Sequence, residues 1–156
     1  MIAQPALRNV ALVAVALAIG ACGSGPVRPT AASPVTAGDR AAAVALDQVG
    51  VPYRYGGNTP RGFDCSGLVQ YAYRQAGLSV PRTTRQLMSA TEPVGMGQLR
   101  AGDLLFFSIA GKMSHVGMYV GDRRFVHAPQ SGRAVSVASL DLPFYRAALV
   151  QAGRIY

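Results

Sequence analysis

Residues that can act together in nucleophilic catalysis are scarce in this chain. Cys65 is the only cysteine after Cys22, and His115 and His127 are the only histidines. A thiol becomes a nucleophile at neutral pH when its surroundings favour the thiolate and a base lies beside it. These residues predict a Cys-His-His site with Cys65 as the nucleophile. The alternative for Cys65 is a small buried core residue.

The cysteine stands at the predicted start of a helix. Asp64 follows a turn-like segment, and apolar residues recur at helical spacing over residues 65–76, before Gly77. Asp64 is therefore the expected N-cap, with Cys65 as the first helical residue. Free backbone N–H groups and the helix dipole favour a thiolate there, so the sequence predicts a lowered thiol pKa.

Both histidines fall in a predicted β-hairpin. Residues 114–120 alternate as a strand, Gly121 and Asp122 signal a turn, and residues 124–128 read as the returning strand. This hairpin brings His115 nearly opposite His127, where one imidazole can hydrogen-bond and orient the other. Taken singly, each histidine would be an ordinary half-buried strand residue.

The remaining pattern predicts helices first and strands afterwards. Helices are expected over residues 39–49 and 65–76, with a short one capped by Thr83 or Thr84 and running through residue 88. Strands are expected over residues 104–108, 115–120, 124–127, 134–137 and 147–155. This order predicts an α+β fold, with N-terminal helices packed on an antiparallel sheet of five to six strands.

An ordered set of short motifs resembles the NlpC-type family of papain-like bacterial cell-wall endopeptidases. The matching segments are residues 52–57, 64–67, 81–84 with Gln86, 102–107, 114–117 and 127–129. Each segment alone is a weak signal, but together they follow the family order from about residue 39 onward.

The resemblance implies a papain-like fold and an enzyme that hydrolyses amide bonds in peptidoglycan stem peptides or cross-links through a thioester. It assigns Cys65 as the nucleophile, His115 as its base and His127 as the group that orients His115. It also implies that Tyr53 lines the site. No cofactor and no metal are implied.

Three residues near the thiol are candidates for binding charged ends of the substrate. They are Asp64, Ser66 and Arg82. Their alternative roles are helix capping for Asp64 and Ser66, and surface solvation for Arg82.

Other functions remain open at this stage. Cys65, His115 and His127 are also residue types that bind zinc, although no closely spaced ligand pair supports such a site. A papain-like amidase or acyltransferase would use the same residues on another substrate. A non-catalytic lipoprotein that binds the cell wall is the third alternative.

The N-terminal segment is typical of an exported lipoprotein. Residues 10–19 are an uninterrupted apolar run, too short for a comfortable membrane span, and small residues lead directly to Cys22. This resembles a bacterial lipoprotein cleavage box. Residues 1–21 are therefore predicted to be a signal peptide, with Cys22 as an acylated first residue. A disulfide between Cys22 and Cys65 is the alternative.

The predicted anchor and linker fix the expected location. Residues 22–38 read as the lipidated cysteine and a flexible Pro/Ala/Ser/Gly linker, and residues 39–156 as the catalytic domain. Lipid on Cys22 would hold the protein to a membrane in the cell envelope. By analogy with lipoprotein sorting, Gly23 favours the periplasmic face of the outer membrane if the source has two membranes.

The chain is basic, with a formal net charge of +8. Its basic residues are scattered and export removes it from nucleic acid, so no nucleic-acid partner is expected. Attraction to anionic peptidoglycan stems or anionic lipids is the preferred interpretation, with a merely solvated surface as the alternative. A monomer is expected.

Overall fold

The computed structural model describes residues 34–156 of the chain. The predicted signal peptide, Cys22 and most of the predicted linker lie outside the described residues. Residues 34–156 contain four α-helices, α1 (Ala37–Leu46), α2 (Cys65–Gln75), α3 (Thr84–Ser89) and α4 (Pro143–Ala148), and a short 3-10 helix at Met96–Gln98. None of the helices in residues 34–156 is long and apolar enough to cross a membrane.

Helix α1 begins earlier than predicted because its cap lies further upstream. Thr36 is the N-cap, and its hydroxyl accepts a hydrogen bond from the backbone of Asp39 while the Asp39 carboxylate accepts one from the backbone N–H of Thr36. This reciprocal pair satisfies two free donors of the first turn. Asp39, the first residue of the predicted helix, is thus the third helical residue, and the helix ends at Leu46, three residues before the predicted end.

The main sheet has six strands in the order β3-β8-β4-β5-β6-β7, and every neighbouring pair is antiparallel. The strands are β3 (Glu92–Pro93), β4 (Leu104–Ile109), β5 (Lys112–Gly121), β6 (Arg124–His127), β7 (Ser136–Ser139) and β8 (Leu149–Arg154). A separate two-stranded ribbon pairs β1 (Asn58–Thr59) with β2 (Gly62–Phe63). The antiparallel sheet of the α+β prediction is confirmed, with six strands.

Several predicted boundaries move and some elements were missed. Strand β7 lies two residues further along than predicted, and the first two residues of the predicted last strand belong to α4. The sequence analysis missed α4, β3 and the β1–β2 ribbon. Each of these three strands pairs over only two residues, which is too short for an alternating pattern to appear.

Apolar side chains cover both faces of the sheet because β4 to β6 alternate between them. One face packs against α1 and α2 through Leu104, Phe106, Val116, Met118 and Val126. The opposite face carries Leu105, Phe107, Phe125, Leu140 and Ala152, with Tyr145 of α4 packed against them. Two-sided burial explains the continuous apolar run in β4, and it fixes β5 and β6 rigidly between the two layers.

Candidate active site

Cys65 is the first residue of α2, and Asp64 is its N-cap, as predicted. The Asp64 carboxylate accepts a hydrogen bond from the backbone N–H of Gly67 at 2.7 Å. The Cys65 sulfur lies 3.8 Å from the Thr84 hydroxyl at the start of α3 and 3.9 Å from the carbonyl oxygen of Ser114 in β5. The thiol therefore sits where α2, α3 and β5 meet.

The predicted lowering of the thiol pKa is wrong for the free protein. Burial raises the pKa of the Cys65 thiol, and the nearby Asp64 carboxylate raises it further. Hydrogen bonds from the Val116 N–H, the Thr84 hydroxyl and the Ser66 N–H favour the thiolate, but they do not outweigh burial. The resting site consequently holds a neutral thiol.

The two histidines are in direct contact. Nε2 of His115 lies 2.8 Å from Nδ1 of His127, and their rings meet nearly edge to face at 74°. Only 4% of His115 and 2% of His127 is exposed. The predicted pairing of the two imidazoles is therefore present in the structure.

Their relation across the hairpin is diagonal and not directly opposite. Strands β5 and β6 pair Met118 with Val126, and continuing this register places Gly117 opposite His127. The register shifts near the turn, between Tyr119 and Gly121, and Gly117 is two residues from His115 along β5. Diagonal neighbours still share one face of the sheet, so the rings reach each other.

Burial also controls the charge of the histidines. It lowers the pKa of His115 to about 4 and that of His127 to about 3, with the charge of His115 adding to the effect on His127. Both rings are consequently neutral at pH 7. A neutral imidazole can accept a proton, whereas an imidazolium cannot.

Tyr145 is a third polar residue next to the two histidines, and the sequence did not predict it. Its hydroxyl lies 3.5 Å from Nε2 of His127, and its ring meets the His127 ring edge to face at 87°. Phe107 and Phe125 pack beside it. Pro143 in the first turn of α4 was the one available signal for this helix, since proline favours that position.

The predicted substrate-binding residues lie close together beside the thiol. Arg82 forms an ion pair with Asp64 at 2.6 Å and donates a hydrogen bond to the Ser66 hydroxyl at 2.9 Å. The Asp64 carboxylate also accepts from the backbone N–H of Gly56 at 3.0 Å. Tyr53 is nearby: burial raises the pKa of its hydroxyl, and the negative charge of Asp64 raises it further.

The first turn of α2 packs directly against the backbone of the preceding loop at Gly57. A Cβ atom added to Gly67 would lie 1.9 Å from the carbonyl oxygen of Gly57, closer than real atoms approach. Glycine at position 67 therefore lets the first turn of the helix touch this loop directly. The position of the Cys65 sulfur depends on that contact.

No group of three or more His, Cys, Asp or Glu side chains within residues 34–156 is placed to hold a metal ion. Cys65, His115 and His127 thus do not form the ligand set of the zinc alternative. In the same part of the chain, Cys65 is a free thiol.

Comparison with known proteins gives consistent matches. The model of the NlpC/P60 family matches residues 50–154. Murein DD-endopeptidase MepH of Escherichia coli K12 is 39% identical over 116 residues, which cover 70% of this chain and 43% of that protein. The bifunctional muramidase/DL-endopeptidase CwlT of Bacillus subtilis is 42% identical over 115 residues, covering 71% of this chain and 34% of that protein.

A solved structure shares the fold. The crystal structure of an NlpC/P60 family protein from Bacillus cereus has a TM-score of 0.72 and 32% identity, covering 78% of this chain and 41% of that one. The chain spans less than half the length of each of these three relatives. The shared architecture confirms the α+β, papain-like prediction. With the family model matching about two thirds of its length, the chain belongs to the NlpC/P60 family.

Proposed function

We propose that this protein is a cysteine endopeptidase that hydrolyses amide bonds in the stem peptides or cross-links of bacterial peptidoglycan. The observation that carries the proposal is the buried contact between His115 and His127, because His115 belongs to β5, the strand whose Ser114 carbonyl lies 3.9 Å from the Cys65 sulfur. The printed names of MepH and CwlT, a murein DD-endopeptidase and a muramidase/DL-endopeptidase, support the substrate class.

His115 is the proposed base. If its Nε2–H donates to Nδ1 of His127, then its own Nδ1 keeps a lone pair for the thiol proton. His127 then carries its proton on Nε2, which faces the Tyr145 oxygen. In this tautomer His127 positions His115 and stabilises it when it becomes protonated.

The proposed reaction starts from neutral partners, because burial disfavours both a thiolate and an imidazolium here. Nδ1 of His115 takes the thiol proton while sulfur attacks the amide carbon, and the carbonyl electrons move to oxygen. The carbon–nitrogen bond then breaks, and His115 returns the proton to the departing amine. A water molecule, deprotonated by His115, hydrolyses the thioester to release the acid and restore the thiol.

Backbone groups at the start of α2 are the proposed oxyanion donors. The first intrahelical bond runs from Leu68 N–H to the Asp64 carbonyl, so the N–H groups of Cys65 and Ser66 precede it. The Tyr53 hydroxyl is a further candidate donor. Such donors stabilise the charge that develops in the transition state.

Asp64, Ser66 and Arg82 are proposed to form the floor of the acyl-side binding site. Mutual hydrogen bonds occupy much of the Asp64 and Ser66 polar surface, while the Arg82 side chain is 32% exposed. This favours positioning of the thiol by Asp64 and Ser66, and leaves Arg82 more accessible to a substrate group.

The proposed location is the cell envelope. The apolar run at residues 10–19 before Cys22 supports a signal peptide of residues 1–21 and lipidation of Cys22, with residues 22–38 as the linker. The lipid would anchor a monomer to a membrane, at the periplasmic face of the outer membrane in a diderm source. Peptidoglycan near that membrane would be its substrate.

Mass spectrometry of peptidoglycan digests tests the proposal. Purified protein should release stem-peptide fragments, and Cys65→Ala should release none. We expect His115→Ala to reduce kcat/KM by about 10²–10⁴-fold, because it removes the general base. His127→Ala should retain more activity, since it acts through His115.

Circular dichroism of each variant controls for folding. Unchanged products with Cys65→Ala would refute a catalytic role for this thiol. Equal rates for wild type and His115→Ala would refute the assignment of the base.

A further inference from the structure

A hollow beside the two histidines has no role in the steps described above. It has a volume of about 270 Å³. Its lining comes from β4, β5 and β6, the loop after β6 and α4, and includes Ile109, His115, His127, Arg133, Phe144 and Tyr145. An open groove of about 630 Å³ along β7 shares His127, Arg133 and Tyr145 with it. Cys65, Tyr53 and Asp64 line neither space.

The hollow has a positive character that one residue supplies. Within residues 34–156 neither space is lined by an aspartate or glutamate, and Arg133 is the only lysine or arginine that lines them. Burial raises the pKa of the Tyr145 hydroxyl, and the positive charge of Arg133 offsets part of that rise. Arg133 and Tyr145 line the same two spaces. Both histidines are neutral at pH 7, so they add no charge.

Arg133 also differs from four other arginines of the described chain. Arg82, Arg123, Arg124 and Arg154 each form an ion pair with an aspartate, whereas no carboxylate of residues 34–156 lies within ion-pair distance of Arg133. Its backbone is nevertheless fixed. Its N–H donates to the Gln130 carbonyl at 3.1 Å, and its carbonyl accepts from the Tyr53 N–H at 2.8 Å.

The proposed chemistry decides which half of a substrate would occupy the hollow. The departing amine receives its proton from His115, so the amine half must lie on the His115 side of the cut bond. The hollow touches His115 and His127 but not Cys65, which is the position required for that half.

We infer that the hollow binds the amine half of the substrate, and that Arg133 selects an amine-side residue that carries a free carboxylate. This inference rests on the proposed function. Guanidinium groups bind carboxylates through paired, charge-assisted hydrogen bonds. Ile109 and the exposed ring of Phe144 provide apolar walls for an aliphatic stem, as in a diamino acid.

Two matched peptides test the inference. Both carry the bond that the digest identifies as cut, and they differ only in the amine-side residue, which has a free carboxylate in one and a carboxamide in the other. The KM and kcat of wild type, Arg133→Gln, Arg133→Lys and Arg146→Gln are measured for each peptide. Arg146 is an exposed arginine of α4 that lines neither space, so its variant removes the same charge elsewhere.

Wild type should show a KM about two- to fivefold lower for the free acid, because a charge-assisted bond of a solvent-exposed arginine has this magnitude. Arg133→Gln should bring the ratio of the two KM values to about one, Arg133→Lys should restore part of it, and Arg146→Gln should keep it. An unchanged ratio in Arg133→Gln would overturn the inference while leaving the proposed function intact.

Binding measurements distinguish a failure of the inference about Arg133 from a failure of the proposed function. In the Cys65→Ala background, calorimetry with the same peptides should give the same preference for the free acid, and Arg133→Gln should remove it. If wild type cleaves neither peptide, the proposed function fails on these substrates, and the calorimetry still decides the role of Arg133. Equal affinity of Cys65→Ala for the two peptides would overturn the inference.

Discussion

Mild acid should destabilise this protein, and its two histidines should be the cause. Their folded pKa values of about 4 and about 3 lie below the ordinary value of 6.5. Between these values the unfolded chain binds more protons than the folded one. The free energy of unfolding therefore falls as pH falls from about 6.5 to about 4.

The magnitude follows from the same pKa values. Moving from pH 7 to pH 5 should remove about 2 kcal/mol of stability for each of His115 and His127, since each is almost fully buried and must be charged in the unfolded chain. Urea unfolding at pH 7, 6 and 5 measures this loss directly. In His127→Gln the slope of stability against pH should be about half as steep, because glutamine does not titrate.

No other histidine of the chain can contribute to this pH dependence, because His115 and His127 are its only two. Hydrogen bonds with Thr36 lower the pKa of the Asp39 carboxyl, so its contribution to stability is lost only at lower pH. NMR provides the control: the imidazole signals of the folded protein should not titrate between pH 7 and 5. A stability that stays constant over this range, or an identical slope in His127→Gln, would refute the reasoning.

Three further substitutions test the scaffold of the site. Asp64→Asn keeps a helix cap but breaks the part-buried ion pair with Arg82, so it should lower the free energy of unfolding by about 1–3 kcal/mol in urea. The control Asp141→Asn breaks an exposed ion pair and should lower it by less than about 1 kcal/mol. Equal losses in the two variants would contradict this prediction. Tyr145→Phe should lower kcat about two- to tenfold with little change in KM, because it removes only the hydroxyl beside His127. An unchanged kcat in this variant would argue against that contact. Gly67→Ala should lower the midpoint of thermal unfolding by several degrees, because the added Cβ atom meets the backbone carbonyl of Gly57. An unchanged midpoint would contradict the close approach of Gly67 to Gly57.

Local signals predicted the parts of the site that depend on neighbouring residues. The N-cap at Asp64 and the helix start at Cys65 follow from side-chain chemistry within one turn, and both are confirmed. The contact between His115 and His127 follows from alternation about a short turn, although the two residues are diagonal neighbours and do not lie nearly opposite each other as predicted. Such short-range rules need no knowledge of the rest of the fold.

Properties that depend on how deeply a side chain is buried were predicted poorly. The helix start suggested a lowered pKa for Cys65, but the sulfur is covered by α3 and β5, which come from distant parts of the chain, and burial reverses the direction. Tyr145 was missed for a related reason. Its position beside His127 depends on how α4 packs on the sheet, and a six-residue helix has too little sequence pattern to reveal that.

Strand β8 lies inside the main sheet, between β3 and β4, although it is the last strand along the chain. A growing polypeptide therefore leaves one edge of β4 without a partner until residues 149–154 have been synthesised. The sheet cannot close until this segment has been synthesised. A nascent chain stalled before residue 149 exposes the apolar β4 edge, which is the kind of surface that aggregates.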